Sequence, residues 1–146
     1  MMAIRKFTKS DLEACTELLI TVYNREPWNE KWTKMTAGNH LTELIHRMRS
    51  FGYVFVDKTT IVGVLFGVER TFWSGEEVYV DEFFIHPSYQ QKGIGKEMMR
   101  HLEVYCKEND LEDITLLTDK MVPAHVFYQK LGFKMSNKTV FMYKSC

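Results

Sequence analysis

The stretch Val78–Cys106, VYVDEFFIHPSYQQKGIGKEMMRHLEVYC, decides how this chain folds. Its first eight residues are β-branched or aromatic except Asp81 and Glu82, which predicts a strand over Val78–Ile85. Pro87 ends that strand, because it has no N–H to give a ladder. From Ile94 the apolar period changes. Ile94, Met98, Met99, Leu102, Tyr105 and Cys106 recur every three or four residues, which marks one face of a helix. Between strand and helix lies Gln90-Gln91-Lys92-Gly93-Ile94-Gly95. Two glycines allow a tight turn and close approach of backbone to a ligand. The first N–H groups of a helix have no internal partner, and with the positive end of its dipole they suit an anion such as pyrophosphate. Taken alone, the loop is either such a cradle or a turn that binds nothing. It is no P-loop, because Gly93 and Gly95 stand too close, and Met98 occupies the third glycine of a dinucleotide fingerprint.

Working outward, Asn109-Asp110 breaks the helix, and Ile114–Leu117 predicts a further strand. Pro123 suits the first turn of a helix with Val126, Phe127, Lys130 and Leu131 on its inner face, and Gly132 suits the left-handed position beyond its end. Phe133–Met135 and Thr139–Tyr143 predict a closing hairpin around Ser136-Asn137-Lys138. Upstream, Ala3–Phe7 predicts a first strand. A helix capped by Thr8 or Ser10 follows, with Leu12, Cys15, Leu18, Leu19, Val22 and Tyr23 inward and its stop at Pro27. A second helix is expected over Thr36–Ser50, with Leu41, Leu44, Ile45 and Met48 on one face. Strands Tyr53–Val56 and Ile61–Val68 join through a tight turn. The order β-α-α-β-β-β-α-β-α-β-β predicts one α/β domain over residues 1–146, a mixed sheet with helices on both faces.

The 146 residues carry 19 Lys+Arg against 19 Asp+Glu, so the chain lacks the basic excess expected of a nucleic-acid binder. No apolar run approaches a membrane span, and the first residues lack the apolar core of a signal peptide. Cys15, Cys106 and Cys146 are odd in number and widely spaced, which predicts reduced thiols and a cytoplasmic protein. The five histidines show no metal-ligand spacing, so no metal is expected.

Gln90-x-x-Gly93-x-Gly95 after Phe84-Ile85-His86-Pro87 resembles the acyl-CoA signature of the GNAT superfamily of N-acetyltransferases, and Phe127-Tyr128-Gln129-Lys130-Leu131-Gly132-Phe133 resembles its second conserved block. The resemblance implies acetyl-CoA as cosubstrate, a primary amine as acceptor, and strands splayed apart to admit the pantetheine arm. It places pyrophosphate on the N–H groups of Gln91, Lys92, Gly93, Ile94, Gly95 and Lys96. Gln90 stands where arginine is commoner, keeping a donor and losing a charge. Pantetheine would pair with the backbone of Phe83, Phe84 and Ile85, as an added strand does. Met121 stands where many members carry an asparagine that contacts pantetheine. Pro123-Ala124-x-x-Phe127-Tyr128, Glu26-Pro27-Trp28 and Val80–Phe84 look most like the aminoglycoside 6′-N-acetyltransferase branch. The family also admits a homodimer.

The chemistry needs a base, because an alkyl amine with a pKa of about 10.4 arrives as ammonium. Glu82 is the first candidate. In a regular strand it shares a face with Val78, Val80 and Phe84, where burial would favour a useful base. Asp81, beside Tyr79 on the other face, is the second. Either carboxylate could instead serve a structural ion pair. Tyr128 stands where the family often uses a tyrosine to protonate the departing thiolate; the other reading is a core tyrosine. Cys106 reads as core rather than nucleophile. Glu26, Trp28, Trp32, Asp81 and Asp119 are expected to form an acidic, aromatic pocket for a small cationic acceptor, aminoglycoside- or polyamine-like. A protein or peptide acetyltransferase and a non-catalytic acyl-CoA sensor are the alternatives.

Overall fold

The computed structural model describes residues 1–146. Strand β1 (Met2–Lys6) leads through a single 3-10 turn into α1 (Leu12–Tyr23) and α2 (Lys34–Ile45). Strands β2 (Ser50–Asp57), β3 (Thr60–Phe72) and β4 (Gly75–Ile85) follow, then α3 (Ile94–Glu108), β5 (Asp113–Thr115) and α4 (Pro123–Lys130). The strands lie side by side in the order β1-β2-β3-β4-β5. Neighbours run antiparallel except β4 and β5, which are parallel.

Local chemistry explains the helix starts. The Thr8 N–H donates to Asp11 Oδ2 at 2.8 Å, and Arg5 donates to both Asp11 oxygens at 2.8 and 2.9 Å. The buried carboxylate thus ties β1 to the entry of α1. Thr33 caps α2, accepting from the Thr36 N–H at 3.0 Å. Helix α2 therefore starts two residues before the expected Thr36 and stops at Ile45, so Met48 lies outside it and is exposed.

Each sheet face carries its own core. Leu18, Leu19, Leu41 and Leu44 of α1 and α2 pack on Val54, Val64, Phe66 and Phe84. Met98, Met99 and Leu102 of α3 pack on Phe55, Leu65, Val78 and Val80. Val78 and Val80 thus face α3, whereas Phe84 faces α1 and α2. The reason is a bulge. Phe66 pairs with Glu82, the next residue Gly67 pairs with Val80, and Asp81 is the extra residue. Glu82 therefore shares a face with Phe84 and not with Val78 and Val80, which corrects the expectation for a regular strand. Gly67 makes room at the bulge: a Cβ there would lie 2.7 Å from the Phe51 ring and 3.0 Å from the Tyr79 carbonyl.

The predicted closing hairpin does not form. The chain beyond Leu131 contains no strand, and β5 is shorter than the expected Ile114–Leu117. Local bonds take the donors instead. The Phe133 N–H returns to the Tyr128 carbonyl at 3.1 Å, and Ser136 Oγ accepts from the N–H groups of Lys138 and Thr139 at 3.3 and 3.1 Å. On α4 Ala124, His125, Phe127 and Tyr128 are half-buried; Val126 and Lys130 are exposed.

Candidate active site

Strands β4 and β5 pair only between Glu77–Tyr79 and Asp113–Thr115. Beyond Tyr79, β4 has no β5 partner, and the sheet opens. Two cavities occupy the opening. The larger, about 1110 Å³, runs between the end of β4, the start of α3, α4 and the loop after α1. The smaller, about 390 Å³, lies against the middle of β4 and the segment after β5. Both are lined by Tyr23, Trp28, Phe83, Ala124 and Tyr128, so they meet at these side chains.

The two cavities are sorted by charge. Arg25, Lys96 and Lys130 line the larger one, with Glu26 as its carboxylate. Glu30, Asp81, Glu82 and Asp119 line the smaller one, which has no lysine or arginine.

At the start of α3 the backbone fits an anion. The Glu97 N–H is the first to fold back, onto the Gly93 carbonyl at 3.0 Å, and the N–H groups of residues 91–96 have no partner in the chain. Gly93 adopts φ +85°, which favours glycine. At Gly95 a Cβ would stand 3.0 Å from the Phe127 ring, tight enough that the ring would have to move. Gln90 lines the cleft and donates to the Ile85 carbonyl at 3.0 Å, which ties the loop to the end of β4. Gln91, Gly93, Gly95 and Lys96 line the cleft together with Phe83, Phe84 and Ile85. Lys92 and Ile94 do not. Lys92 lies over the Tyr89 ring, and the Ile94 side chain is in the α3 core.

The adjacent carboxylates of β4 each find a partner from α2 or the turn after it, an arginine for one and a histidine for the other. Arg47 donates to Asp81 Oδ1 at 2.7 Å, and His40 Nε2 lies 2.8 Å from Glu82 Oε2. The Asp81 side chain is only 7% exposed and its Oδ2 has no partner. Burial pushes its pKa up, partly offset by Arg47. The hydrogen bond to Glu82 raises the pKa of His40 against the opposing effect of burial. Tyr128 is raised well above its ordinary value, by burial first and by the Glu82 charge second. Tyr23 is raised likewise, and its hydroxyl sits 3.4 Å from the Phe83 carbonyl. Burial pushes the Cys106 thiol up to about 11, an inert core cysteine as expected.

The aromatic loop divides its residues. Trp28 lines both cavities and Glu26 the larger, away from the acidic pocket expected for it. Trp32 lines neither. It packs 5.0 Å from the His40 ring, and its indole donates to Glu30 at 2.6 Å. Asp119 lies in the smaller cavity. Sequence reasoning missed His40, Arg47, Tyr23 and Phe141 as site residues. Only Tyr23 had a signal, an aromatic at the end of a helix just before the tryptophan loop. No group of three or more His, Cys, Asp or Glu side chains is placed to hold a metal ion.

Known proteins share this architecture. The description "Acetyltransferase (GNAT) family" matches residues 12–133. A human protein, cysteine-rich protein 2-binding protein, is 33% identical over 84 residues, which span 58% of this chain and 10% of that protein. The chain thus spans about a tenth of the length of the curated relatives it matches. A transcriptional regulator from Bacillus halodurans C-125 superposes with a TM-score of 0.80 at 24% identity, covering 99% of this chain and 100% of that one. AAC(6')-Iy, solved with the bisubstrate analog CoA-S-monomethyl-acetylneamine, superposes with a TM-score of 0.76 at 18% identity, covering 100% and 99%. At these identities the structures establish the shared fold. The family match across both signature blocks carries the assignment: this chain belongs to the GNAT acetyltransferase family.

Proposed function

We propose that this protein is an acetyl-CoA-dependent N-acetyltransferase that transfers the acetyl group directly to a primary amine of a small cationic acceptor, aminoglycoside- or polyamine-like. The observation that carries the reading is the sorting of charge between two cavities that meet at Tyr128 and Phe83. The larger cavity offers an anionic cosubstrate unpaired N–H groups and three cationic side chains. The smaller offers an ammonium four carboxylates under the Trp28 ring. Residues 1–146 act as one catalytic domain, and the free thiols of buried Cys15 and Cys106 fit a cytoplasmic setting.

Acetyl-CoA supplies an activated acyl group and a thiol leaving group. The N–H groups of residues 91–96 and Lys96 hold its pyrophosphate, and the edge of β4 from Phe83 to Ile85, which no strand covers, lines up its amide arm. Glu82 removes the proton that makes the ammonium unreactive. The Tyr128 hydroxyl, kept protonated by burial and the neighbouring charge, gives its proton to the departing sulfur, and the proton shed by the acylated nitrogen restores it. Cys106 takes no part, so no acetyl-enzyme forms.

The test is release of free CoA thiol from acetyl-CoA in the presence of a panel of aminoglycosides, polyamines, peptides and neutral amines. Turnover confined to small cationic amines is expected. Acetyl-CoA binding with no thiol release for any amine would identify an acyl-CoA sensor instead, and preference for peptides would identify a protein acetyltransferase.

A further inference from the structure

We propose that His40 is a positioning residue for Glu82, holding its carboxylate toward the acceptor pocket and balancing its charge from behind. The inference rests on the proposed function, in which Glu82 is the base. The contact joins residues 42 apart in sequence, His40 Nε2 to Glu82 Oε2 at 2.8 Å. His40 lines neither cavity, whereas Glu82 lines the acidic one, so the imidazole sits behind the carboxylate. Trp32 covers the histidine ring at 5.0 Å with a 30° tilt, a face that favours a cation. Asn24 anchors Trp32, accepting from its N–H at 2.9 Å and donating to its carbonyl at 2.8 Å. The ring is therefore held at Nε2 by Glu82 and against Trp32.

The charges around His40 come from several elements. Strand β4 supplies Glu82 and Asp81, with Asp81 already paired to Arg47 from the turn after α2. Helix α2 itself supplies Glu43. The loop supplies Glu30, which is bound to the Trp32 indole. Glu82, Glu43 and Asp81 favour the imidazolium, Glu82 first among them. The 2.8 Å contact therefore fixes the orientation of the Glu82 carboxylate, and that carboxylate in turn favours the charged imidazole.

The experiment measures kcat/KM against pH for one fixed amine acceptor in wild type, His40→Gln, His40→Leu, Trp32→Leu and Glu82→Gln. The acceptor's own ionisation is common to all five and cancels in the comparison. Glutamine keeps a donor near the Nε2 position and loses the charge. Its plateau should stay within a few-fold of wild type, because a donor still orients the carboxylate. Leucine loses both, so its plateau should fall by about tenfold or more through misplacement of the base. Trp32→Leu should lower the plateau by less. The KM for acetyl-CoA should stay put, because His40 does not line that cleft. A plateau in His40→Leu equal to wild type, or one in His40→Gln as low as in His40→Leu, with Glu82→Gln inactive, would overturn the role of His40 alone. Full activity in Glu82→Gln would overturn the proposed base itself.

Discussion

Tyr128 is pulled in two directions. Burial and the Glu82 charge keep its proton in place across the physiological range, so a donor is always present. A phenol is already a weaker acid than the thiol it must protonate, whose ordinary pKa is about 8.5; the shift widens that gap, and each unit of mismatch costs about 1.4 kcal/mol. Its contribution should therefore fall at the low end of general acid catalysis, about 10²-fold. Tyr128→Phe is expected to lower kcat by that factor and leave acetyl-CoA affinity unchanged by calorimetry. A kcat within a few-fold of wild type at every pH would assign the proton to water. For Glu82→Gln the expected outcome is a larger fall in kcat with loss of the acid limb of the profile, because the amide keeps shape and cannot accept the ammonium proton.

Among the elements, the start of α3 depends on two glycines for different reasons. Gly93 needs its left-handed φ, whereas Gly95 needs the absence of a Cβ against Phe127. Gly95→Val should push α4 from α3 and weaken acetyl-CoA binding by tenfold or more, roughly 1.4 kcal/mol. Unchanged affinity by calorimetry would remove the loop from the binding site. At the start of α1, Asp11 accepts from Thr8 and Arg5, and these bonds hold its pKa below the usual carboxylate range against burial. A depressed carboxylate stabilises the fold above its unfolded pKa, and that stability is lost as pH falls through the folded value. Asp11→Ala should cost about 1 kcal/mol in urea unfolding at neutral pH, and the difference from wild type should shrink in acid. A constant difference at all pH values would mean that the loss comes from packing.

Across the whole molecule, positive and negative charges cancel, so attraction of either substrate cannot come from net charge. It comes from sorting, with cations around the larger cavity and carboxylates in the smaller. Binding of a cationic acceptor and of acetyl-CoA should therefore both weaken with salt, since exposed charges are screened beyond about 10 Å at 0.1 M. KM for both should rise between low and high salt, while that for a neutral amine analogue should not. Salt-independent KM for the cationic acceptor would mean that the paired carboxylates, Asp81 with Arg47 and Glu82 with His40, leave no field in the pocket.

The sequence by itself determined the features with local causes. The strand ending at Ile85, the loop with Gly93 and Gly95, and the inward face of α3 follow from composition, glycine spacing and a change of period within one stretch. The buried row of α1 and the left-handed Gly132 were legible for the same reason. Tertiary structure decided where the carboxylates point. A strand read alone alternates regularly, but pairing with β3 inserts Asp81 as a bulge opposite Phe66-Gly67 and turns Glu82 toward α2. It also decided their partners. His40 and Arg47 lie 42 and 34 residues before the groups they bind, and no local pattern connects them. The closing hairpin failed for the complementary reason: residues 139–143 have strand-like composition, yet a strand exists only where another supplies its hydrogen bonds, and β5 pairs with β4 alone.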